Sequence, residues 1–188
     1  MQEKRDVRSA LAASFRELVL EKPVEKITIK EITERTGVIR GTLYNHFQDK
    51  YEVLEWICRQ ELLLPARALL ENRMETEAVT FLFTALANHR EFYLHAAKLE
   101  GQNSFARILK EGIASLVEAY TQTYGREGSG KFAWLTPARS AGYIAQSLTY
   151  IILEWIADGM KEPPARMAQI YLYLSGWQQR TADGGKKE

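Results

Sequence analysis

The chain has 188 residues, 46% of them apolar, a formal net charge of +1, three histidines and one cysteine. That length suits one large or two small domains, and the apolar fraction is ample for a core. A lone Cys58 excludes an intramolecular disulfide and a multi-cysteine zinc site, and the charge balance lacks the basic bias of many DNA-binding proteins, so any such contact must come from local placement.

The N-terminus, MQEKRDVRS, is charged and lacks an apolar signal core. The most apolar later run, IAQSLTYIILEWIA, contains Gln146 and Glu154 and is too short for a membrane span. A cytoplasmic protein with no membrane partner is expected, and Cys58 fits a reducing compartment as a small buried residue. The first helix is expected from about Glu3 to Glu21, with Val7, Leu11, Phe15 and Leu18 forming one stripe. Lys22-Pro23 ends it.

The next stretch, ITIKEITERTGVIRGTLYNHFQDKYEVL, reads as a short helix, a glycine turn, a second short helix and the start of a longer one. Thr28 is an N-cap with Glu31 three places on, and Ile27 can staple to Ile32. Ile29, Ile32 and the methyl of Thr33 share a face, Gly37 supplies a left-handed turn, and Val38 packs back into the angle. Leu43 and Phe47 are four apart and bury together, leaving Gly41, Thr42, Tyr44 and Asn45 towards solvent. Asp49 then caps a helix with Glu52 at its third position and Val53, Leu54 and Ile57 as its apolar stripe. Two short helices joined by a tight glycine turn form a helix-turn-helix, whose second helix can lie in the DNA major groove.

These residues resemble the DNA-binding domain of the TetR family of bacterial transcriptional regulators. The match is carried by Gly37-Val38, Gly41-Thr42-Leu43-Tyr44, His46-Phe47 and Asp49-Lys50, within the N-terminal third of the chain. It implies an all-α fold of about nine helices. An N-terminal three-helix helix-turn-helix domain would span 1–60, its fourth helix running on to about 72 as a linker. A C-terminal helical bundle for ligand binding and dimerisation would span 73–180, with a disordered tail at 181–188.

The stretch departs from the family pattern at three places. Thr33 and Thr36 stand where alanines are common, and their hydroxyls can bond backbone carbonyls. Ile39 stands where a serine usually caps the second helix. Either a cap worth about 1 kcal/mol is lost there, or the side chain offers an apolar contact to a thymine methyl.

Thr42 and Tyr44 lie at positions matching the family's recognition-helix contacts. A threonine can bond a phosphate or touch a thymine methyl, and a tyrosine hydroxyl reaches a phosphate. Arg40 can pair with guanine in a bidentate manner, and Lys50 at a helix start can hold a backbone phosphate; the plain alternative for both is a solvated charge. Asn45 and His46 are further candidates, and Thr28 and Gly41 complete the expected DNA-facing set. In the resembled family, motion of the fourth helix changes the separation of the two recognition helices in a dimer. The same is implied here, the alternative being a plain spacer; Pro65 is where this helix would kink.

From Glu75 five more helices are expected. The first runs near Thr76 to Ala87, and the second, HREFYLHAAKL, is capped by Asn88 with Glu91 and ended by Gly101. The third runs from Ser104 to Tyr124 and is followed by a flexible GREGSG loop. Thr136-Pro137 opens a long helix ending near Asp158-Gly159, and Pro163-Pro164 opens the last. The last two are unusually apolar. By the resemblance they form a four-helix homodimer interface through Ile144, Leu148, Ile151, Ile152, Trp155, Met167, Ile170, Tyr171, Leu174 and Trp177; an entirely intramolecular core is the alternative.

The middle helices supply Phe83, Phe92, Tyr93, Phe105, Leu109, Tyr143, Gln146 and Tyr150, which could line a pocket for a small apolar or aromatic effector or simply fill the core. His89 and His95 are six apart and point different ways on a helix, and the chain has no HExxH, nucleophile elbow or phosphate-binding glycine loop. No enzyme activity, metal or cofactor is expected. The functional expectation is a homodimeric, sequence-specific regulator of double-stranded DNA, a repressor released from an inverted-repeat operator by an effector. The alternative is a DNA-bound scaffold whose C-terminal domain recruits a protein. A closed, dry core with an exposed apolar patch would favour the scaffold, and an enclosed cavity with polar hooks the sensor.

Overall fold

Caps and apolar spacing dictate helices throughout. The computed structural model describes residues 2–124 and 132–176, and every regular element among them is helical. α1 (Gln2–Glu21) buries Leu11, Phe15, Leu18 and Val19 and stops short of Pro23. A short 3-10 turn leads to α2 (Ile29–Thr36), α3 (Arg40–Tyr44) and α4 (Lys50–Cys58).

α4 continues with helical dihedral angles through a π turn (Arg59–Leu63) into α5 (Leu64–Glu71). Pro65 explains the turn. It has no N–H and its ring crowds the carbonyl four residues back, so the rod widens just ahead of it and the Leu64 N–H reaches the Arg59 carbonyl. The distortion expected at the proline thus lies upstream of it.

α6 (Glu75–Asn88), α7 (Arg90–Ala96), α8 (Phe105–Tyr124), α9 (Pro137–Ala157) and α10 (Pro164–Leu174) complete the chain. With α4, the π turn and α5 taken as one rod, the described residues form nine helices. α9 starts as its sequence predicts, the Thr136 hydroxyl accepting from the Arg139 amide at 3.3 Å. Asn88 is a correction: it ends α6, and His89 stands at the α6–α7 junction with no side-chain cap. Burial of Leu82, Phe83, Ala85 and Leu86 carries α6 past the capping signal.

α8 packs along α9, α10 lies against α6, and α1 touches both α4 and α7. A single hydrophobic cluster runs from Leu11 of α1 to Tyr171 of α10, so the N-terminal helices are seated on the C-terminal ones. α8 closes onto the π turn at Gly112, where a Cβ would collide with Leu63 Cδ1. The glycine-rich loop at 125–130, Trp177 and the tail at 181–188 lie outside the described residues. No described helix is long and apolar enough to cross a membrane.

Candidate nucleic-acid interface

The angle between α2 and α3 is set by short-range chemistry. Thr28 forms a reciprocal capping box: its hydroxyl accepts from the Glu31 amide at 3.3 Å, and the Glu31 carboxylate accepts from the Thr28 amide at 2.9 Å. Lys22 also pairs with Glu31. The Lys22 hydrogen bond, with help from the Thr28 amide, lowers the Glu31 pKa to about 2. Ile27 and Ile32 are both buried, as a staple requires.

Gly37 ends α2 at φ 76°, ψ 28°, and the Val38 amide returns to the Thr33 carbonyl at 3.0 Å. The Thr33 hydroxyl reaches the Ile29 and Lys30 carbonyls, and Thr36 reaches the Ile32 carbonyl at 2.7 Å. Thr36 Oγ1 also lies 2.8 Å from Ser14 Oγ, fastening α2 to α1 in a way an alanine would not.

α3 is one and a half turns long and is held from below. Leu43 and Phe47 are buried, with Phe47 edge-on to Trp56 at 6.1 Å. With that stripe inward, Arg40, Gly41, Tyr44 and Asn45 are exposed and Thr42 and His46 half-buried. Thr28 is exposed at the start of α2. Ile39 occupies the N-cap of α3 with extended backbone and no side-chain cap bond, and is 76% exposed. Its spacing of four from Leu43 would continue the buried stripe in a helix, but the extended cap conformation turns the side chain out.

Lys50, expected to hold a backbone phosphate, is already engaged within the chain. Its ammonium donates to the carbonyls of Glu25 and Ile27 at 2.6 and 2.8 Å, so at most one N–H is left for a phosphate. In the free protein Lys50 is a clamp between the start of α4 and the approach to α2. Arg8 is a residue that sequence reasoning missed: its guanidinium donates to the His46 carbonyl at 3.2 Å and lies 5.6 Å from the Phe47 ring centre. No local pattern marks it, because the contact spans 38 positions.

A second cluster joins the N-terminal helices to the rest. Glu61 in the π turn pairs with Arg16 of α1, accepts from the Tyr93 hydroxyl of α7 at 3.1 Å, and lies 3.9 Å from His89 Nε2. Arg16 sits 4.7 Å from the centre of the Phe92 ring. Burial raises the pKa of the Tyr93 phenol and pushes the neighbouring Cys58 thiol up to about 12, while desolvation, and next the Arg16 charge, hold His89 below the usual histidine value. Among the described residues no group of three or more His, Cys, Asp or Glu side chains is placed to hold a metal ion.

The expected effector-binding set divides between the core and the surface. Phe83, Phe92, Tyr93, Phe105 and Leu109 are core residues packed ring to ring, with Phe83 5.4 Å from Trp155 and Tyr93 5.5 Å from Phe105. Tyr143, Gln146 and Tyr150 lie on the outer face of α9, Tyr143 being 72% exposed. Concavities occur elsewhere: a polar cleft of about 300 Å³ between the first turns of α4 and α8, and one of about 210 Å³ between α1 and α4.

The expected interface set is also redistributed. Leu148, Ile152, Trp155, Met167 and Tyr171 are buried within this chain, Ile144, Ile151 and Ile170 are half-buried, and Leu174 is exposed. The physical reason is helical phase. Residues 144, 148, 151, 152 and 155 follow one inward stripe, whereas 143, 146 and 150 follow the opposite one. On α9 the pocket candidates therefore face outward and the interface candidates inward.

Comparison with known proteins agrees with this architecture. The sequence profile described as "Bacterial regulatory proteins, tetR family" matches residues 11–57, and that described as "Transcriptional regulator C-terminal region" matches 76–175. Among curated proteins none matches in sequence. Solved structures share the fold at low identity. NalD, the secondary repressor of the MexAB-OprM multidrug efflux pump in Pseudomonas aeruginosa, is 20% identical with a TM-score of 0.60, covering 92% of this chain and 95% of its own. The dihydroxyacetone kinase operon activator DhaS is 19% identical at 0.63, with the same coverages. A TetR-family regulator from Syntrophomonas wolfei is 14% identical at 0.68, covering 90% and 93%. The chain belongs to the TetR family of bacterial transcriptional regulators, with its helix-turn-helix in α2 and α3.

Proposed function

We propose that this DNA-binding regulator acts as a homodimer on an inverted-repeat operator and represses by occupying it. The observation that carries the reading is the outward strip Arg40, Gly41, Tyr44 and Asn45 on a helix whose opposite side is locked by Leu43 and Phe47. A helix fixed from below and bare above can enter the major groove, with Arg40 pairing to guanine and Tyr44 and Thr42 touching the backbone. A two-fold dimer on the outer faces of α9 and α10 would present two such helices to successive grooves, which is why an inverted repeat is expected. Repression is proposed because occlusion needs no further surface. The similar folds carry no sign here, since NalD is named a repressor and DhaS an activator.

The test is selection from a random DNA pool by the intact protein and by an Arg40→Ala, Tyr44→Ala variant. Enrichment of an inverted repeat by the intact protein alone supports the reading. Enrichment of single half-sites removes the two-fold arrangement, and equal enrichment by both proteins removes Arg40 as a reader and Tyr44 as a backbone contact.

Release by a small molecule is the second step of the proposal. The polar cleft between α4 and α8, lined by Gln48, Glu52, Glu55, Asn103 and Arg107, adjoins the rod that carries α3, so a guest there would act on the reading head directly. A second reading, recruitment of a protein to DNA-bound repressor, is favoured by one observation: the aromatic core is closed while Phe132 and Trp134 stand exposed before α9.

A further inference from the structure

Ile39 is the one large aliphatic side chain on the α2–α3 unit that is turned fully out, and it stands where a polar cap would stabilise α3. No side-chain cap bond offsets that exposure among the described residues. Val38 beside it packs against the core, and the inward stripe is already filled by Leu43 and Phe47. Ile39 Cδ1 leans over Gly41, 3.9 Å from where a Cβ would stand, and beyond the chain neighbours and the helix's own backbone no other described atom lies within 4 Å of that point. The N-terminal end of α3 therefore presents an open apolar shelf, flanked by Arg40, with no side chain at Gly41 to hold a base edge away.

We propose that Ile39 is a specificity-determining residue: its side chain packs on the C5 methyl of a thymine at one fixed position in each operator half-site. In the major groove the thymine methyl is the one apolar group that a base pair displays, and a helix N-terminus is the part of a recognition helix that reaches base edges. Arg40, its neighbour, is placed to read a guanine in the same half-site. The inference rests on the proposed operator binding and adds to it a base that no hydrogen-bonding residue would select.

The experiment uses the full chain and its Ile39→Ser and Ile39→Val variants. Each selects sites from a random pool, and the site selected by the unaltered protein is remade with deoxyuridine in place of each thymine in turn. Removing one buried methyl is expected to weaken binding about fourfold per half-site, at one thymine position only. Ile39→Val keeps that discrimination; Ile39→Ser loses it while melting no lower than the unaltered protein, since serine can cap α3. If deoxyuridine is tolerated everywhere, or Ile39→Ser keeps the same thymine preference, the proposal is overturned. Failure of the operator reading looks different: no inverted repeat is enriched by any of the three proteins, and both readings then fall together.

Discussion

Tyr93 of α7 donates its hydroxyl to one carboxylate oxygen of Glu61 at 3.1 Å, while Arg16 of α1 pairs with the other. One carboxylate on the π turn thus fastens the rod to a helix of the DNA-reading unit and to a helix of the C-terminal bundle. The π turn places it there, since the extra residue in that turn rotates α5 relative to a regular continuation of α4.

Removing the two partners should therefore have unequal effects. Tyr93→Phe leaves the Arg16 pair intact and is expected to destabilise by about 1 kcal/mol, the worth of a part-buried hydrogen bond. Glu61→Leu strands the Arg16 guanidinium, whose Nη1 already lacks a hydrogen-bond partner, and should destabilise by about 3 kcal/mol. Urea unfolding of both variants decides it, and equal losses would mean that the carboxylate is not the centre of the cluster.

Lys50 gives a prediction that separates folding from DNA contact. A lysine that only touched phosphate would leave stability unchanged on removal. Here Lys50→Ala takes a donor from two carbonyls and should lower unfolding free energy by about 1 kcal/mol, discounted for partial exposure, while weakening all DNA sequences alike. Denaturation without DNA, set beside binding to selected and random duplexes, measures both. Unchanged stability would return Lys50 to the role of a plain phosphate ligand.

These cases also mark how far the sequence can be read. Thr28 with Glu31, Gly37, the Leu43–Phe47 pair, Asp49 and Thr136-Pro137 act within a few residues, so their chemistry is visible in the string and the helices begin and turn where it says. The Lys50–Ile27 contact spans 23 positions and the Tyr93–Glu61 bond 32, and neither has a local signature. On α9, composition reveals an apolar helix but not which stripe meets the core, because Tyr143 and Tyr150 recur at helical spacing beside the stripe of Leu148 and Ile152, and a tyrosine can lie in a core or on a surface. Tyr143, Gln146 and Tyr150 lie on the outer stripe for that reason.

Glu31 predicts an acid limb of stability. Its folded pKa, about 2, lies below the ordinary carboxylate value of 4.5, so the charged form is favoured by folding. The stability it adds is present above about pH 4.5 and is lost as pH falls towards about 2. Melting temperatures of the unaltered protein and Glu31→Gln should differ by a constant amount near neutrality and converge across that window. A difference that persists unchanged at pH 2 would assign the effect to packing, not to the capping charge.

Whether the outer face of α9 forms the proposed dimer interface can be tested by pairing an outward and an inward substitution. Tyr143 is 72% exposed on α9 and Tyr173 73% exposed on α10, so glutamate at both positions costs the isolated chain little. If these faces meet in the dimer, Tyr143→Glu, Tyr173→Glu buries two carboxylates from each chain at the interface and should sediment as a folded monomer that binds an inverted repeat no better than a half-site. Trp155→Ala acts from the other side of α9. It removes a ring 5.4 Å from Phe83 and an indole N–H bonded to the Glu162 carbonyl at 2.9 Å, and should destabilise the fold by about 3–5 kcal/mol whatever the dimer does. Sedimentation and urea unfolding together separate the two. A Tyr143→Glu, Tyr173→Glu protein that stays dimeric would put the interface on another face, and a Trp155→Ala protein that loses only dimerisation would restore Trp155 to the interface that its sequence suggests.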